Sequence, residues 1–261
     1  MNPVQNWKKF VAVGCTHAHL INARAEAEFF EFVEAFKPDR RIHLGDVWDT
    51  QCWRGGAGNG PDSGKSITED FKSGEDFLLN YRPHTVFLGN HDVRPFENLE
   101  HPNAIVRHAA KVHVEAITDF ITKDLRAEMV DYDVRRGWRI LGGAAFGHGY
   151  MHNEQAARDH AEMLGRPTVI AHVHTLASAS GRSYNAPTGW TAGCLIDIDK
   201  ARYASRRRAT HRWRNGWVYG EYSDTDCRIF PHYAATERLD FLPMKLPEIA
   251  EAQPQVNHAT F

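Results

Sequence analysis

No run of apolar residues in this 261-residue chain approaches the ~20 that a membrane span requires. The opening stretch, MNPVQNWKKF, lacks the apolar segment of a secretory signal. Cys15, Cys52, Cys194 and Cys227 are far apart and form no CxxC pair. With no export signal, four free thiols in a reducing cytoplasm are expected. A net charge of −2 excludes wholesale coating of nucleic acid, though not a local basic patch. There is no internal repeat. Two routes to phosphate chemistry are also missing. Gly64-Lys65-Ser66 ends like a phosphate-binding loop, but that loop needs glycine where Asn59 stands, and no apolar strand leads into it. A thiol phosphatase would want arginine six positions after a cysteine, and those positions hold Ile21, Gly58, Lys200 and Tyr233.

What is present is the balance of a soluble globular protein, 42% hydrophobic and 25% charged. The length allows a full core. Residues 1–242 are expected to form one domain and 243–261, with its Pro and Ala, a peripheral tail. Residues 10–14, 41–45, 85–89, 138–147 and 168–173 read as strands. Helices are expected over 23–36, 68–81, 103–125 and 153–164. In the first, Ile21, Ala25, Phe29, Val33 and Phe36 share a face behind a capping Asn22. Residues 178–234 look mainly β. Alternating strands and helices followed by more β predict an α/β sandwich.

Sixteen histidines is a high number, and histidine is a frequent metal ligand. Five apolar segments each run into metal-ligand residue types: VAVGCTH, LGDVWDT, LGNHDV, FGHGY and IAHVHT. Strand ends are where an α/β scaffold leaves functional groups open to a ligand. The order Cys15-x-His17, Gly45-Asp46-x-x-Asp49, Gly89-Asn90-His91-Asp92, His148-Gly149, His172-x-His174 resembles the calcineurin-like metallophosphoesterase superfamily. It extends over about residues 10–195, most of the chain.

That resemblance implies an α/β fold, a β-sandwich flanked by helices in four αββα layers, and two divalent metal ions (Mn, Fe or Zn). Cys15, His17, Asp46 and His174 would hold the first. Asp46, Asn90, His148 and His172 would hold the second, with Asp46 bridging. His91 would act at the leaving oxygen, oriented by Asp92, and Asp49 would support a ligand from behind. Cys15 departs from the family's Asp, as in small stand-alone phosphoesterases of bacteriophages and bacteria. A thiolate there would favour zinc or iron over magnesium or calcium. On a strand, positions 15 and 17 would point the same way and share a metal. Ala171, where the family often has Gly, would affect packing only.

Several alternatives stay open. The alternative to a ligand at Cys15, and the less favoured reading, is a small buried hydrophobe beside a weakened first site. His43 reads as a satisfied structural histidine, and His19, His152 and His160 as surface or supporting residues. The Gly-rich segment 52–66 is either a flap whose Trp53, Arg54 and Lys65 touch substrate or a solvated loop. The run ARYASRRRATHRWRN, with Arg206, Arg207 and Arg208, is either a phosphate-gripping patch, with Tyr203 and Trp213 available to stack, or a solvated basic face. The expected partner is a phosphoester, with no membrane. Gly-Asn-His-Asp resembles the phosphodiesterase and nuclease branches, whereas Ser/Thr phosphatases show Gly-Asn-His-Glu and an Arg-Gly where Thr50 and Gln51 stand here. A phosphodiester in DNA, RNA or a nucleotide is therefore expected. A phosphomonoesterase and a metal-binding protein with weakened catalysis are the rivals.

Overall fold

The structure is a computed structural model and describes residues 6–54, 67–201, 204 and 208–235. β1 (Lys8–Val13) sets the architecture by alternation. Phe10 and Ala12 point into one apolar core, Val11 and Val13 into another, and all four are fully buried. A strand buried on both faces needs a layer on each side. β1 pairs in parallel with β2 (Arg40–His43), β2 with β3 (Thr85–Phe87), and β3 with β4 (Glu128–Val130).

The second sheet runs β5 (Arg139–Leu141), β6 (Ala144–Phe146), β7 (Thr168–Ile170), β9 (Thr188–Ala192), β8 (Leu176–Ser180). β10 (Gly216–Tyr222) and β11 (Cys227–Tyr233) extend the first sheet antiparallel, giving the order β11-β10-β1-β2-β3-β4. The inter-sheet core joins Phe10, Ile42, Leu44 and Phe87 to Phe146, Val169 and Leu176.

Helices close both outer faces. α1 (Ala23–Phe36), α2 (Ile67–Tyr81) and α4 (Ala104–Asp119) send Phe29, Phe77, Leu78, Tyr81 and Ile117 against Val11, Val86 and Trp217. The short α3 (Arg94–Glu97) lies between β3 and α4. α5 (Ala156–Leu164) covers the second sheet at β7, β8 and β9. The result is a four-layer αββα sandwich of mixed α/β class. α1 begins where expected because the Asn22 Oδ1 accepts from the N–H groups of Arg24 and Ala25, each at 3.1 Å. No helix among the described residues is long and apolar enough to cross a membrane.

Two expectations need correction. Residues 138–147 are not one strand but a hairpin, because Gly142 and Gly143 both take positive φ (55° and 78°) and reverse the chain between β5 and β6. The strands expected over 10–14 and 168–173 also stop early, at Val13 and Ile170. The residues that follow turn into left-handed backbone. The tail 243–261, Lys65, Tyr203, Arg206, Arg207 and most of the Gly-rich segment 52–66 lie outside the described residues.

Candidate metal centre

β1, β2 and β3 are parallel, as are β6 and β7, so each set releases its C-terminal loops at one edge of its sheet. Past their strands, the first two loops stay bonded. Cys15 N donates to Gly45 O (2.8 Å), His17 N to Asp46 O (3.1 Å) and Ala18 N to Val47 O (2.8 Å). Cys15, His17, Asp46, His172 and His174 all have left-handed backbone, with φ of 53°, 50°, 53°, 60° and 57°. Such strain costs on the order of 1–3 kcal/mol per residue and gathers at functional sites. Cys15 and His17 therefore do share a centre, but not as alternate positions of a strand.

Glycine is required at two points. A Cβ on Gly89 would lie 2.2 Å from Asp46 Oδ1, and one on Gly45 would lie 2.7 Å from His148 Nδ1. Gly45 also has φ +95°. The Gly-Asp and Gly-Asn pairs thus bring two backbones close enough for Asp46 to reach between them.

The donor atoms meet in two overlapping groups. Cys15 Sγ and one ligand atom each of His17, Asp46 and His174 lie within 4.8 Å of one another, as do ligand atoms of Asp46, His148 and His172. Asp46 Oδ2 is 3.7 Å from His17 Nε2, 3.3 Å from His148 Nε2 and 4.0 Å from Cys15 Sγ. His17 Nε2 is 3.2 Å from His174 Nε2. Asn90 Oδ1 lies 3.2 Å from His148 Nε2 and 2.8 Å from His172 Nδ1.

Tautomers show what such a centre can hold. His148 Nδ1 faces Leu44 O at 2.8 Å and must be its donor. In the neutral ring, Nε2 then turns a lone pair on the oxygens of Asp46 and Asn90. His17 Nδ1 likewise donates to Asp49 Oδ1 at 3.0 Å, leaving a lone pair on Nε2 toward His174. Lone pairs aimed at lone pairs are stabilised by a positive charge between them. The electrostatics agree: burial pushes His148 down, but the Asp46 carboxylate outweighs it and holds it above its ordinary value. Burial pushes Asp46 up, yet His148, His91 and His17 hold it well below the usual carboxylate range. Burial, then His148, lowers His172 to about 3, and burial, then His17, lowers His174 strongly. Both stay neutral, the form that ligates metal. Burial and Asp46 push the Cys15 thiol well up, so it ionises only against a cation. Its Sγ accepts the His172 N–H at 3.2 Å. The donor set therefore fits divalent cations, with Asp46 common to both halves.

His91 lies at the rim. Its N–H donates to Asp46 Oδ1 (2.9 Å), and its Nδ1 faces Asp49 O (3.0 Å) and Asp49 Oδ1 (3.1 Å). Asp92 does not orient it. The Asp92 carboxylate is buried and accepts from Gly89 N (2.8 Å), Trp48 N (3.0 Å) and Val47 N (3.3 Å). Three backbone donors occupy it, so it ties the loop after β2 to the loop after β3. Burial and the neighbouring Asp46 raise it to about 7. Asp49 is the residue that orients His91, and it holds His17 through the same oxygen. Burial pushes Asp49 up, but hydrogen bonds from both histidines hold it far below its ordinary value.

Other expectations sort as follows. His43 is a buried structural histidine, with Nε2 3.3 Å from Thr16 Oγ1 and Nδ1 accepting from Gly45 N at 3.2 Å. His160 is not at the surface: it is fully buried, with Nδ1 donating to Ala156 O (2.6 Å) and Nε2 accepting from Tyr150 N (3.1 Å). It fixes the loop after His148. Ala171 is fully buried within the inter-sheet core. Trp213 is only 8% exposed, its ring 4.2 Å from that of His174, so it supports the centre rather than stacking on a base. Trp53 meets the His113 ring on α4 at 5.4 Å. Arg54 and Arg208 are exposed, and among the described residues neither is bonded to the centre.

Two supporting residues escaped sequence reasoning. Asp70 accepts from Asp49 N (3.1 Å) and Thr50 N (2.8 Å), and its Oδ1 meets His19 Nδ1 at 3.0 Å. The clue was its place in α2: with Gly74, Phe77, Leu78 and Tyr81 it makes up the buried face, where an acid is out of character. Arg94 Nη1 donates to Asp49 O at 2.6 Å. Nothing in its spacing signalled that.

No family model and no curated protein sequence matches this chain. Among solved structures it is similar to a metallophosphoesterase from Sphaerobacter thermophilus: 14% identity, 90% of this chain and 91% of that one, TM-score 0.45. It is also similar to YfcE, a phosphoesterase from E. coli, at 12% identity over 87% and 100% of the two chains, TM-score 0.38. A third is a variant of Vps29 from Entamoeba histolytica, at 9% identity over 86% and 99%, TM-score 0.39. These likenesses concern the fold alone.

Proposed function

We propose that this chain is a calcineurin-like metallophosphoesterase that hydrolyses a phosphodiester of a nucleotide or nucleic acid with two divalent metal ions. One observation carries the reading. Side chains from five strand-end loops meet with a single carboxylate, Asp46, common to two donor groups. Cys15, His17, Asp46 and His174 would hold one cation, and Asp46, Asn90, His148 and His172 the other. Two bound cations would offset phosphate charge and make a water nucleophilic near neutral pH.

The remaining roles follow from the chain itself. Asp46 keeps the two halves in register and anchors His91 through its backbone N–H. Asp49 fixes the proton of His17 on Nδ1, leaving Nε2 to ligate. It also accepts the Nδ1 proton of His91, so a His91 imidazolium would give its Nε2 proton to the leaving oxygen and be left as the neutral ring with its remaining proton on Nδ1. Asp92 and Asp70 hold the two loops in place from the backbone side. The Cys15 thiol, buried among the other donors, is a ligand in this scheme.

The diester preference follows the Gly-Asn-His-Asp motif. Metal content of the protein as purified, measured beside hydrolysis of bis(p-nitrophenyl) phosphate and p-nitrophenyl phosphate, tests both parts. About two equivalents of transition metal and faster diester turnover are expected. Turnover of the monoester alone would refute the diester preference, and metal-loaded protein inert toward both would refute the enzyme.

A further inference from the structure

A cavity of about 140 Å³ opens beside the metal centre and shares a loop with it. Val173, between the candidate ligands His172 and His174, lines it, as does Thr175. So does His152, whose ring is 6.4 Å from that of His172. The opposite walls are β8 and β9 (Ala177, Ala179, Thr191), the start of α5 (Ala156, Ala157) and Ala209 of the turn Arg208–Arg212.

Size limits the occupant. A cavity of about 150 Å³ holds one benzene-sized ring. Chemistry limits it further. Five of the lining side chains are alanine, so much of the wall is made of methyl groups. Glu154 and Arg212, the charged lining residues, pair at 3.2 Å, so no net charge awaits a charged group. Thr175 and Thr191 hydroxyls satisfy each other at 3.1 Å. Among the described residues, the Gln155 side chain and the His152 ring nitrogens have no hydrogen-bond partner, which leaves polar groups at the mouth for the edge of a ring.

We infer that this cavity receives one uncharged, nucleoside-type ring joined to the phosphate, making it the substrate-selecting pocket of a nucleotide-sized ester. The ester part of this inference rests on the phosphoesterase reading. The ring part does not.

The experiment separates them. Ala177 is exposed on β8, so Ala177→Leu fills part of the cavity without disturbing a core position. Ala209→Leu, also exposed, is the second filling variant. Wild-type protein is expected to hydrolyse the p-nitrophenyl ester of thymidine 5′-phosphate about tenfold better in kcat/KM than methyl p-nitrophenyl phosphate, the scale of a small pocket contact. Either variant should bring that ratio near unity and leave methyl ester turnover unchanged. Independently of turnover, thymidine added to protein carrying ¹³C-labelled alanine methyls should shift Ala156, Ala157 and Ala179 in the wild type and not in the variants. A ratio near unity in the wild type, or preference and shifts that survive both substitutions, would overturn the assignment. Methyl shifts without turnover of either ester would support the cavity and count against the enzyme.

Discussion

Replacing Gly89 by alanine adds one methyl group and should disable the centre. Its Cβ would lie 2.2 Å from Asp46 Oδ1, 2.5 Å from Asp46 N and 2.7 Å from His148 Cε1. A carbon and an oxygen rest about 3.3 Å apart at closest, so Asp46 must retreat by about 1 Å. That movement cannot be absorbed locally. Asp46 Oδ1 takes the His91 N–H at 2.9 Å, and Oδ2 lies 3.3 Å from His148 Nε2 and 3.7 Å from His17 Nε2. Shifting the shared carboxylate opens both halves. A misplacement of about 1 Å at a reacting centre costs about 100-fold in rate, and overpacking costs about 1–3 kcal/mol of stability. The assay is bis(p-nitrophenyl) phosphate hydrolysis in saturating manganese, with metal content and a thermal melt on the same samples. Gly165→Ala is the control: Gly165 has φ +64° with nothing within 4 Å of an added Cβ, so it should lose stability but not turnover. A Gly89→Ala protein with wild-type metal content, melting point and rate would refute the bridging role of Asp46.

His91→Ala should keep both metals and lose about 10²–10⁴ in turnover, as expected for a proton donor. Asp49→Ala should cost about 10–100-fold and weaken metal retention as well, because Asp49 holds both His91 and His17. Full activity in either variant would sink its role. Cys15→Asp should retain activity and move the metal preference from zinc or iron toward manganese or magnesium, as seen by reconstitution across a metal panel. In the metal-free protein, burial holds His43 at about 3, below its ordinary 6.5. The unfolded chain binds the extra proton between those values, so stability is full above pH 6.5 and falls by a few kcal/mol as the pH drops toward 3. His43→Gln should flatten that part of the urea-denaturation profile, and an unchanged slope would remove His43 as its source.

That these residue types would converge was legible because each follows an apolar strand at fixed spacing. Chemistry-bearing residues after parallel strands must emerge at one edge, wherever the helices run. Secondary structure was legible where periodicity and caps agreed, as in α1 with Asn22. The partners were less so. In the sequence Asp92 looks like the support of His91 and Asp49 like the support of a ligand, and only the path of the backbone gives His91 to Asp49 instead. Asp92 meets three N–H groups and is consumed by them, while Asp49 is left facing two imidazoles. The sequence left His160 between a surface and a supporting place because its two partners, Ala156 O and Tyr150 N, are backbone groups with no signature in the sequence.

The left-handed turns explain why so many donors fit around one carboxylate. An extended strand advances about 3.3 Å per residue and sends alternate side chains to opposite faces. Cys15 and His17 on such a strand would present two donors along a line. Turning the backbone at both positions curls the chain, and the bonds from Cys15, His17 and Ala18 to Gly45, Asp46 and Val47 fix the curl against the neighbouring loop. His172 and His174 curl in the same way on the second sheet, secured by Arg214 N donating to His174 O at 2.9 Å. Unfavourable backbone angles are thus held by bonds to loops that themselves carry donors. Loosening one loop releases its neighbour's strain as well as its own ligands. Metal binding and loop order should therefore be lost together rather than one donor at a time.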